Sequence, residues 1–175
     1  MSDVDPGRAG TADTAGVVFR RPVEADHATV IGRIDDWWPG RRGRAAVERW
    51  WFRHASAGSW VAEDEDGRLI GFALAQSSPD DPSIGLLHAV VVSPNRRRHG
   101  IGRALVERVV DDLRVRDGDR LEATSWPGDP PVTHFLRGIG FVPDEGPGTM
   151  RLYGTPAYRD YEGDGEDRTR WTRDL

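Results

Sequence analysis

The stretch IGLLHAVVVSPNRRRHGIGRALVERVV, residues 84–110, decides the fold of this chain. Its apolar run at 84–92 is nearly continuous, which predicts a central strand that is covered on both faces of a sheet. Ser93-Pro94-Asn95 stops the strand. Apolar residues then recur every four positions between Ile101 and Leu113, which predicts a helix with one buried face. The stretch therefore predicts a buried strand that is joined to a helix by a basic turn.

The turn between this strand and this helix has the chemistry of an anion site. A helix start leaves backbone N–H groups unpaired, and the helix dipole makes that end positive. Gly100 and Gly102 lack side chains, so a ligand can approach the backbone closely. Positive charge is added by Arg96, Arg97, Arg98 and Arg103. The turn is therefore predicted to bind phosphate groups, although from local features alone a tight turn before a solvated helix start fits equally well.

The rest of the chain alternates between strand and helix signals. A helix at 100–116 lies between strands at 84–92 and 120–126, and these three form a βαβ unit whose crossover is expected to be right-handed. The order of elements predicts an α/β chain with a mixed sheet. The remaining predicted elements are a strand at 17–20, helices at 24–34 and 45–54, a hairpin with strands at 59–62 and 69–75, a helix at 132–137, a strand from Gly140 and a terminal strand at 168–175.

Length and charge bound the classes of function. The 175 residues suit one domain, predicted at 16–175, behind a disordered tail at 1–15. The net charge of −5 gives no reason to expect binding to nucleic acid or to anionic membranes. No apolar run reaches the ~20 residues that cross a bilayer, and the N-terminus has no signal pattern. A cytoplasmic protein is therefore expected.

Several kinds of site are excluded by residues that the sequence lacks. Without cysteine there are no disulfides, thiolate metal sites or cysteine acyl-enzyme. The phosphate loop with Gly-Lys-Ser/Thr is absent, and so is the third glycine of the dinucleotide fingerprint. His27, His54 and His134 show no metal-ligand spacing, so no metal is expected.

Two motifs resemble those of the GCN5-related N-acetyltransferases, the GNAT family. Leu87 to Pro94, followed by Arg97-Arg98-His99-Gly100-Ile101-Gly102, is similar to the family's acetyl-CoA-binding motif of Arg or Gln, two residues, Gly, one residue, and Gly or Ala. His134 to Phe141 is similar to the family's helix that ends in Gly-Phe. Arg20-Arg21-Pro22 and the hairpin also fit the family layout, so the resemblance covers about residues 17–175.

The resemblance implies a GNAT fold and the position of its acetyl-CoA. The fold would be a mixed, mostly antiparallel sheet of about seven strands with four helices, in which the central strands splay apart. The pantetheine arm would fill the gap and pair with the backbone of Val90, Val91 and Val92, much like an added strand. The pyrophosphate would take N–H groups from Arg97, Arg98, His99, Gly100, Ile101, Gly102 and Arg103.

The activity that the resemblance implies is transfer of an acetyl group from acetyl-CoA to the primary amine of a small molecule. Without cysteine, direct transfer in a ternary complex is expected. Three alternatives stay open: a different acyl-CoA, a protein or peptide amine as acceptor, and a non-catalytic CoA-binding module. Dimers are common in the family, which makes a homodimer one expectation.

His88 is the predicted general base. It is the one titratable residue inside the apolar strand, and family members commonly use Glu, Asp or His at or near this point. The alternative is a buried histidine that only hydrogen-bonds the backbone.

The general acid for the leaving thiolate is harder to assign. Many family members have a tyrosine where this chain has Leu136, and their common Asn corresponds to Asp129. Either the thiolate leaves unassisted, or a C-terminal tyrosine substitutes, with Tyr158 and Tyr161 preferred over Tyr153. Each of these could instead be an ordinary packing residue.

The acceptor pocket is predicted from two segments. Asp35, Asp36, Trp37 and Trp38 lie between the first two helices, and the acidic, tyrosine-containing loop at 158–167 precedes the last strand. Carboxylates and aromatic rings together suit a small cationic amine with an apolar or aromatic body. The alternatives are that the acidic loop is only solvated, that the tryptophans fill core, and that a substrate carboxylate is held by Arg41, Arg42 and Arg44.

Overall fold

The sheet contains seven strands, and its two central strands are parallel. The structure is a computed structural model that describes residues 14–39 and 43–175. Most of the predicted tail at 1–15, as well as Arg41 and Arg42, therefore lies outside the described residues. In the order β1 to β9, the strands are Val18–Arg20, Trp60–Glu63, Leu69–Ser77, Ile84–Val92, Arg120–Ser125, Val142–Pro143, Met150–Leu152, Thr155–Ala157 and Thr169–Asp174. In the order α1 to α6, the helices are Asp26–Ile31, Ile34–Trp37, Gly43–Ala46, Arg49–His54, Ile101–Val115 and Pro130–Gly138.

The topology confirms the predicted fold class. The main sheet runs in the order β1-β2-β3-β4-β5-β9-β6, and β7 pairs with β8 in a separate hairpin. Neighbouring strands are antiparallel except for β4 and β5, which are parallel and joined through α5. This mixed sheet with one βαβ crossover is what the alternation of elements predicts. No described helix is long and apolar enough to cross a membrane.

Local sequence predicts β4 and α5 well but merges the short helices. The strand at 84–92 has its predicted bounds. The helix predicted at 24–34 is two helices, α1 and α2, separated at Gly32 and Arg33. The helix predicted at 45–54 is likewise divided into α3 and α4. Breaking the helices lets short pieces follow the sheet surface, so that apolar residues of each piece reach one core.

Two apolar clusters cover the two faces of the sheet unequally. The first packs α5 and α6 against strands from β2 to β9, including Leu121 and Trp171. The second packs α1 to α4 against β2, β3 and β4 only. Among the described residues it includes none from β5, β6 or β9, so polar side chains such as Thr124 and Arg170 remain accessible there. One face of β5 is therefore open directly beside β4.

A buried ion pair fixes the start of α1 against the first two strands. Asp26 is only 7% exposed and accepts hydrogen bonds from Arg20 Nη1 at 2.7 Å and Nη2 at 2.9 Å, and from the Val23 N–H at 2.8 Å. Arg20 Nη2 also binds Glu63 Oε1 at 2.6 Å. Burial acts to raise the pKa of the Asp26 carboxyl, but the hydrogen bonds from Arg20 and Val23 outweigh it, so this pKa lies below its usual range.

Asp26→Asn is expected to lower the free energy of unfolding at pH 7 by about 2 kcal/mol, because the half-buried Arg20 guanidinium loses one of its two carboxylate partners. The folded-state pKa of Asp26 is depressed, so its stabilisation is present above the unfolded pKa of about 4 and is lost as pH falls through the folded value. Urea unfolding at pH 7 and pH 3 should show the difference shrinking in acid.

Asp35→Asn provides the matched control for this prediction. Asp35 binds Arg44 Nη2 at 2.7 Å, but both side chains are more than half exposed, at 67% and 55%. An exposed pair of this kind contributes less than about 0.5 kcal/mol. Equal losses of stability in the two variants would contradict the role assigned to Asp26.

Candidate active site

A gap opens between the two parallel central strands. β4 and β5 pair from Ile84 opposite Arg120 to Leu87 opposite Ala123, and the pairing then ends. Beyond that point β4 continues to Val92 while it stays paired with β3. The predicted splay of the central strands is therefore present, and it exposes one edge of β4 over its last residues.

A β-bulge at His88 marks the start of this gap. Leu74 of β3 lies opposite Ala89, whereas Ala75 lies opposite Leu87, so His88 is an extra residue on β4. The bulge exchanges the two faces of the strand: Leu87 packs toward α5, but beyond the bulge Ala89 packs toward α1 to α4. His88 is consequently exposed, and the prediction that β4 is covered on both faces is wrong at this residue.

The exposed edge of β4 presents the backbone of alternate residues to the gap. The Ser93 N–H donates to the Ile70 carbonyl of β3 at 2.8 Å. Because hydrogen-bonding direction alternates along an antiparallel pair, the N–H and C=O of Val91 also face β3, whereas those of Val90 and Val92 face the gap. Of the three valines predicted to bind pantetheine, Val90 therefore presents its N–H and C=O to the gap, whereas Val92 presents its N–H, because the Val92 carbonyl accepts a hydrogen bond from Arg97 Nε at 3.0 Å.

The basic turn after β4 carries a row of free donors. Arg98 and Gly100 have φ values of 69° and 80°, and Gly100 is the residue before the first turn of α5. The first N–H of the helix that donates to a backbone carbonyl is that of Ala104, which is bonded to the Gly100 oxygen at 2.9 Å. Within the described part of the chain, the N–H groups from Arg98 to Arg103 have no acceptor. Six successive donors at a positive helix end form an anion site.

The basic side chains around this turn are unequally engaged. Arg97 and Arg103 bind main-chain carbonyls, and Arg96 lies 3.7 Å from Asp64 Oδ2. Arg98 and His99 are exposed and make no hydrogen bond to a described residue. Ile101 is only 3% exposed, so it offers a ligand its backbone and not its side chain.

His88 is held in one orientation by two neighbours. Its Nε2 lies 2.7 Å from the Ala46 carbonyl oxygen, and its ring stacks on Trp51 with centroids 4.4 Å apart and planes 19° apart. Trp50 stacks on the far side of Trp51 at 4.2 Å. A carbonyl oxygen only accepts hydrogen bonds, so Nε2 carries the proton and the neutral ring has its lone pair on Nδ1.

Two polar residues on β5 share the open face with His88, and sequence reasoning missed both. Leu121 and Ala123 pack toward α5, so the alternating Glu122 and Thr124 lie on the opposite face. The register sets Glu122 beside Leu86, two residues before His88 on β4. The alternation was visible in the sequence, but only the parallel register brings it next to His88.

The two tyrosines predicted as acids differ in whether their hydroxyl groups have a hydrogen-bond partner. Tyr158 donates to Asp144 Oδ2 at 2.8 Å, and this hydrogen bond raises the pKa of Tyr158 and lowers that of Asp144. The Gly146 N–H also donates to Asp144, at 2.8 Å. Tyr161 packs beside Tyr158 with centroids 5.7 Å apart, and its hydroxyl has no partner among described residues. The structure therefore argues against Tyr158 as an acid and leaves Tyr161.

The residue at the family's usual tyrosine position is part of the core. Leu136 is 3% exposed and packs in the cluster beneath α5. Asp129 accepts a hydrogen bond from the Val132 N–H at 3.1 Å and caps α6. Neither side chain offers a proton at the gap.

The acidic loop at 158–167 uses most of its charges to fold itself. Arg168, 8% exposed, binds Glu162 at 2.6 Å and Glu166 at 3.1 Å. Asp160 Oδ1 accepts from the Gly165 N–H at 2.6 Å. These contacts favour a self-stabilised loop over a cation pocket. No group of three or more His, Asp or Glu side chains in the described ranges is placed to hold a metal.

The predicted acceptor residues after α1 divide into core and surface. Trp37 is 5% exposed, and its ring stacks on that of Phe72 with centroids 6.5 Å apart, so this ring is part of the core. Trp38 is half-buried beside the same cluster. Asp35 pairs with Arg44, whereas Asp36 is exposed.

A family model and a relative with an assigned name match parts of this chain. A model of the acetyltransferase (GNAT) family matches residues 29–141. L-2,4-diaminobutyric acid acetyltransferase of Nocardia farcinica (strain IFM 10152) is 33% identical over 73 residues, which are 42% of this chain and 38% of that protein. The chain therefore matches less than two fifths of that relative's length.

Solved structures of the same fold cover most of the chain. A GNAT-family structure from Desulfovibrio desulfuricans superposes with a TM-score of 0.71 at 22% identity, covering 90% of this chain and 98% of that one. Diaminobutyrate acetyltransferase EctA from Paenibacillus lautus, solved with L-2,4-diaminobutyric acid and coenzyme A, gives a TM-score of 0.67 at 22% identity and covers 89% and 93%. At these identities the similarity shows the fold.

Proposed function

Since the chain belongs to the GNAT family of acetyltransferases, we propose that it transfers an acetyl group from acetyl-CoA to the primary amine of a small molecule. The observation that carries this proposal is the exposed edge of β4, which leads directly into the six unpaired N–H groups of residues 98–103. An extended amide chain with a diphosphate at one end is complementary to that surface.

Different residues around the gap bind different parts of acetyl-CoA in this proposal. Val90 offers its N–H and C=O, and Val92 offers its N–H, to the amides of the pantetheine arm, and the diphosphate accepts hydrogen bonds from the N–H groups of the turn. Arg98 and His99 have no other partner among described residues, so Arg98 can add positive charge and His99 a hydrogen-bond donor beside the phosphates. Arg97 binds protein carbonyls instead, so its side chain has a different task.

His88 is the base in this proposal. Its Nδ1 lone pair takes a proton from the attacking amine, while Nε2 stays bonded to the Ala46 carbonyl. The amine nitrogen bonds to the thioester carbonyl, the carbon–sulfur bond breaks, and the thiolate leaves with the electron pair. The chain contains no cysteine, so the acetyl group passes directly between the two substrates.

The acceptor reaches the acetyl group from the open face of the sheet. Glu122 and Thr124 lie on that face, and the Glu122 carboxylate, which also pairs with Arg120 Nε at 3.0 Å, attracts an ammonium group. Asp36 is the exposed member of the segment predicted to bind substrate. Because two related proteins are named for acetylation of diaminobutyrate, that diamine is the first acceptor to test.

Thiol release from acetyl-CoA, measured with a panel of amines led by L-2,4-diaminobutyrate, tests the proposal. We expect turnover with at least one small amine, and mass spectrometry should find the acetyl group on its nitrogen. CoA binding without turnover on any amine would instead favour a non-catalytic module. Turnover only with protein or peptide amines would replace the acceptor class.

Tyr161→Phe is expected to lower kcat about tenfold, whereas Tyr158→Phe should change it less than about twofold. The Tyr158 proton is engaged by Asp144, but the Tyr161 hydroxyl is available to protonate the thiolate. Steady-state rates at saturating substrates measure the difference. Tyr158→Phe should instead lower the thermal midpoint, since Asp144 loses its partner. Unchanged turnover in both variants would mean that the thiolate leaves unassisted.

A further inference from the structure

The guanidinium of Arg97 cross-links three elements instead of serving the anion site. Its Nε donates to the Val92 carbonyl at 3.0 Å, and its Nη2 donates to the Trp37 carbonyl at 2.5 Å. Val92 is the last residue of β4, and Trp37 is the last residue of α2. The arginine therefore ties the basic turn to the central strand and to the short helices on the acceptor side.

Arg97 binds the C-terminal end of α2, which attracts a cation. The last carbonyls of a helix have no intrahelical partner, and they carry the negative end of its dipole. The Trp37 ring is fixed by its stacking on Phe72, so its carbonyl is a firm anchor. Hydrogen bonds from a charged donor are stronger than those between two neutral groups.

The same group of helices also holds His88. Gly43, at the start of α3, lies so close to Trp38 that an added Cβ would be 2.8 Å from the Trp38 carbonyl oxygen. Ala46, at the end of α3, accepts the hydrogen bond from His88 Nε2. The α2 and α3 helices are therefore tied to β4 and the turn after it at two points, through Arg97 at α2 and through His88 at α3.

We propose that Arg97 is a positioning residue that holds α2 and α3 against the end of β4 and, through the Ala46 carbonyl, fixes the orientation of His88. In this role its side chain does not bind the phosphates of acetyl-CoA. The expected effect of Arg97 on kcat rests on the proposed function. The contacts of Arg97 and their effect on the α2 and α3 helices are independent of that function.

Paired variants in the basic turn separate positioning from phosphate binding. Arg97→Gln should lower kcat about tenfold and leave the Kd for CoA within about threefold of wild type, because His88 loses its alignment. Arg98→Gln removes the same charge from a side chain without a described partner, and should raise that Kd about tenfold. Arg97→Lys keeps one donor and should recover part of kcat. Equal increases in Kd with unchanged kcat would overturn the proposal.

Hydrogen exchange in CoA-free protein tests the same proposal without any activity. The amides of Trp37 and Trp38 donate to the carbonyls of Arg33 and Ile34, so they report on α2. Their exchange should become about tenfold faster in Arg97→Gln and stay unchanged in Arg98→Gln. Unchanged exchange in Arg97→Gln would overturn the positioning role. If exchange rises but wild type acetylates no amine, the proposed function fails while the positioning of the helices stands.

Discussion

His88→Ala is expected to lower kcat about 300-fold with saturating acetyl-CoA and amine, because positioned general bases contribute between about 10² and 10⁴ in rate. The Kd for CoA should stay unchanged, since the imidazole binds Ala46 and Trp51 and not the basic turn. Steady-state rates of thiol release at saturating substrates give the result.

His54→Ala is the matched control. His54 is exposed at the end of α4 and has no place in the proposed mechanism. It should turn over like wild type. A kcat of His88→Ala equal to that of wild type would mean that His88 only joins β4 to α3 and is not the base.

The tautomer of His88 shows where sequence reasoning stops. An isolated histidine in an apolar strand marks a candidate base, and that much can be seen from residues 84–92 alone. Its proton lies on Nε2 because a carbonyl 42 residues earlier in the chain accepts it. Its exposure follows from the bulge, which one strand's own sequence does not encode because a bulge is a mismatch between two strands.

The parts of the fold that were predicted correctly are those with strong local periodicity. β4 has a long apolar run, and α5 has apolar residues at every fourth position. Few other secondary structures are compatible with these two patterns. The hairpin of β7 and β8 was missed, because its three-residue strands are too short to show alternation. The acceptor side was the least predictable, since burial decided it: Trp37 and Trp38 look alike in sequence, but only Trp37 stacks in the core.

Charge gave a similarly incomplete prediction. The four arginines around the turn look equivalent in sequence, yet Arg97 and Arg103 are bound to distant carbonyls. The acidic loop resembles a cation pocket in sequence, but in the structure Arg168 pairs with both Glu162 and Glu166. Counting charges thus predicts the sign of a surface, but the partners of each charge determine which of them a ligand can use.

Gly102→Val is expected to raise the Kd for CoA about 100-fold, which corresponds to about 2.7 kcal/mol. A Cβ at this position would lie 3.3 Å from Phe135 Cε2 and 3.6 Å from Val92 Cγ2, so even one added methyl group would be in tight contact with the Phe135 ring. The two methyl groups of valine add bulk in the first turn of α5, where the free N–H groups need a close approach by the diphosphate. Calorimetric titration with CoA measures the change.

Gly138→Val tests whether this effect belongs to the turn or to valine in any helix. Gly138 is also helical, at the end of α6, but an added Cβ there would have no neighbour within 4 Å. Its Kd for CoA should match wild type, and Gly102→Ala should fall between the two because it lacks the branched methyl groups. If folded Gly102→Val binds CoA as tightly as Gly138→Val, the diphosphate does not lie on the N–H groups of residues 98–103, and the exposed edge of β4 alone must account for CoA binding.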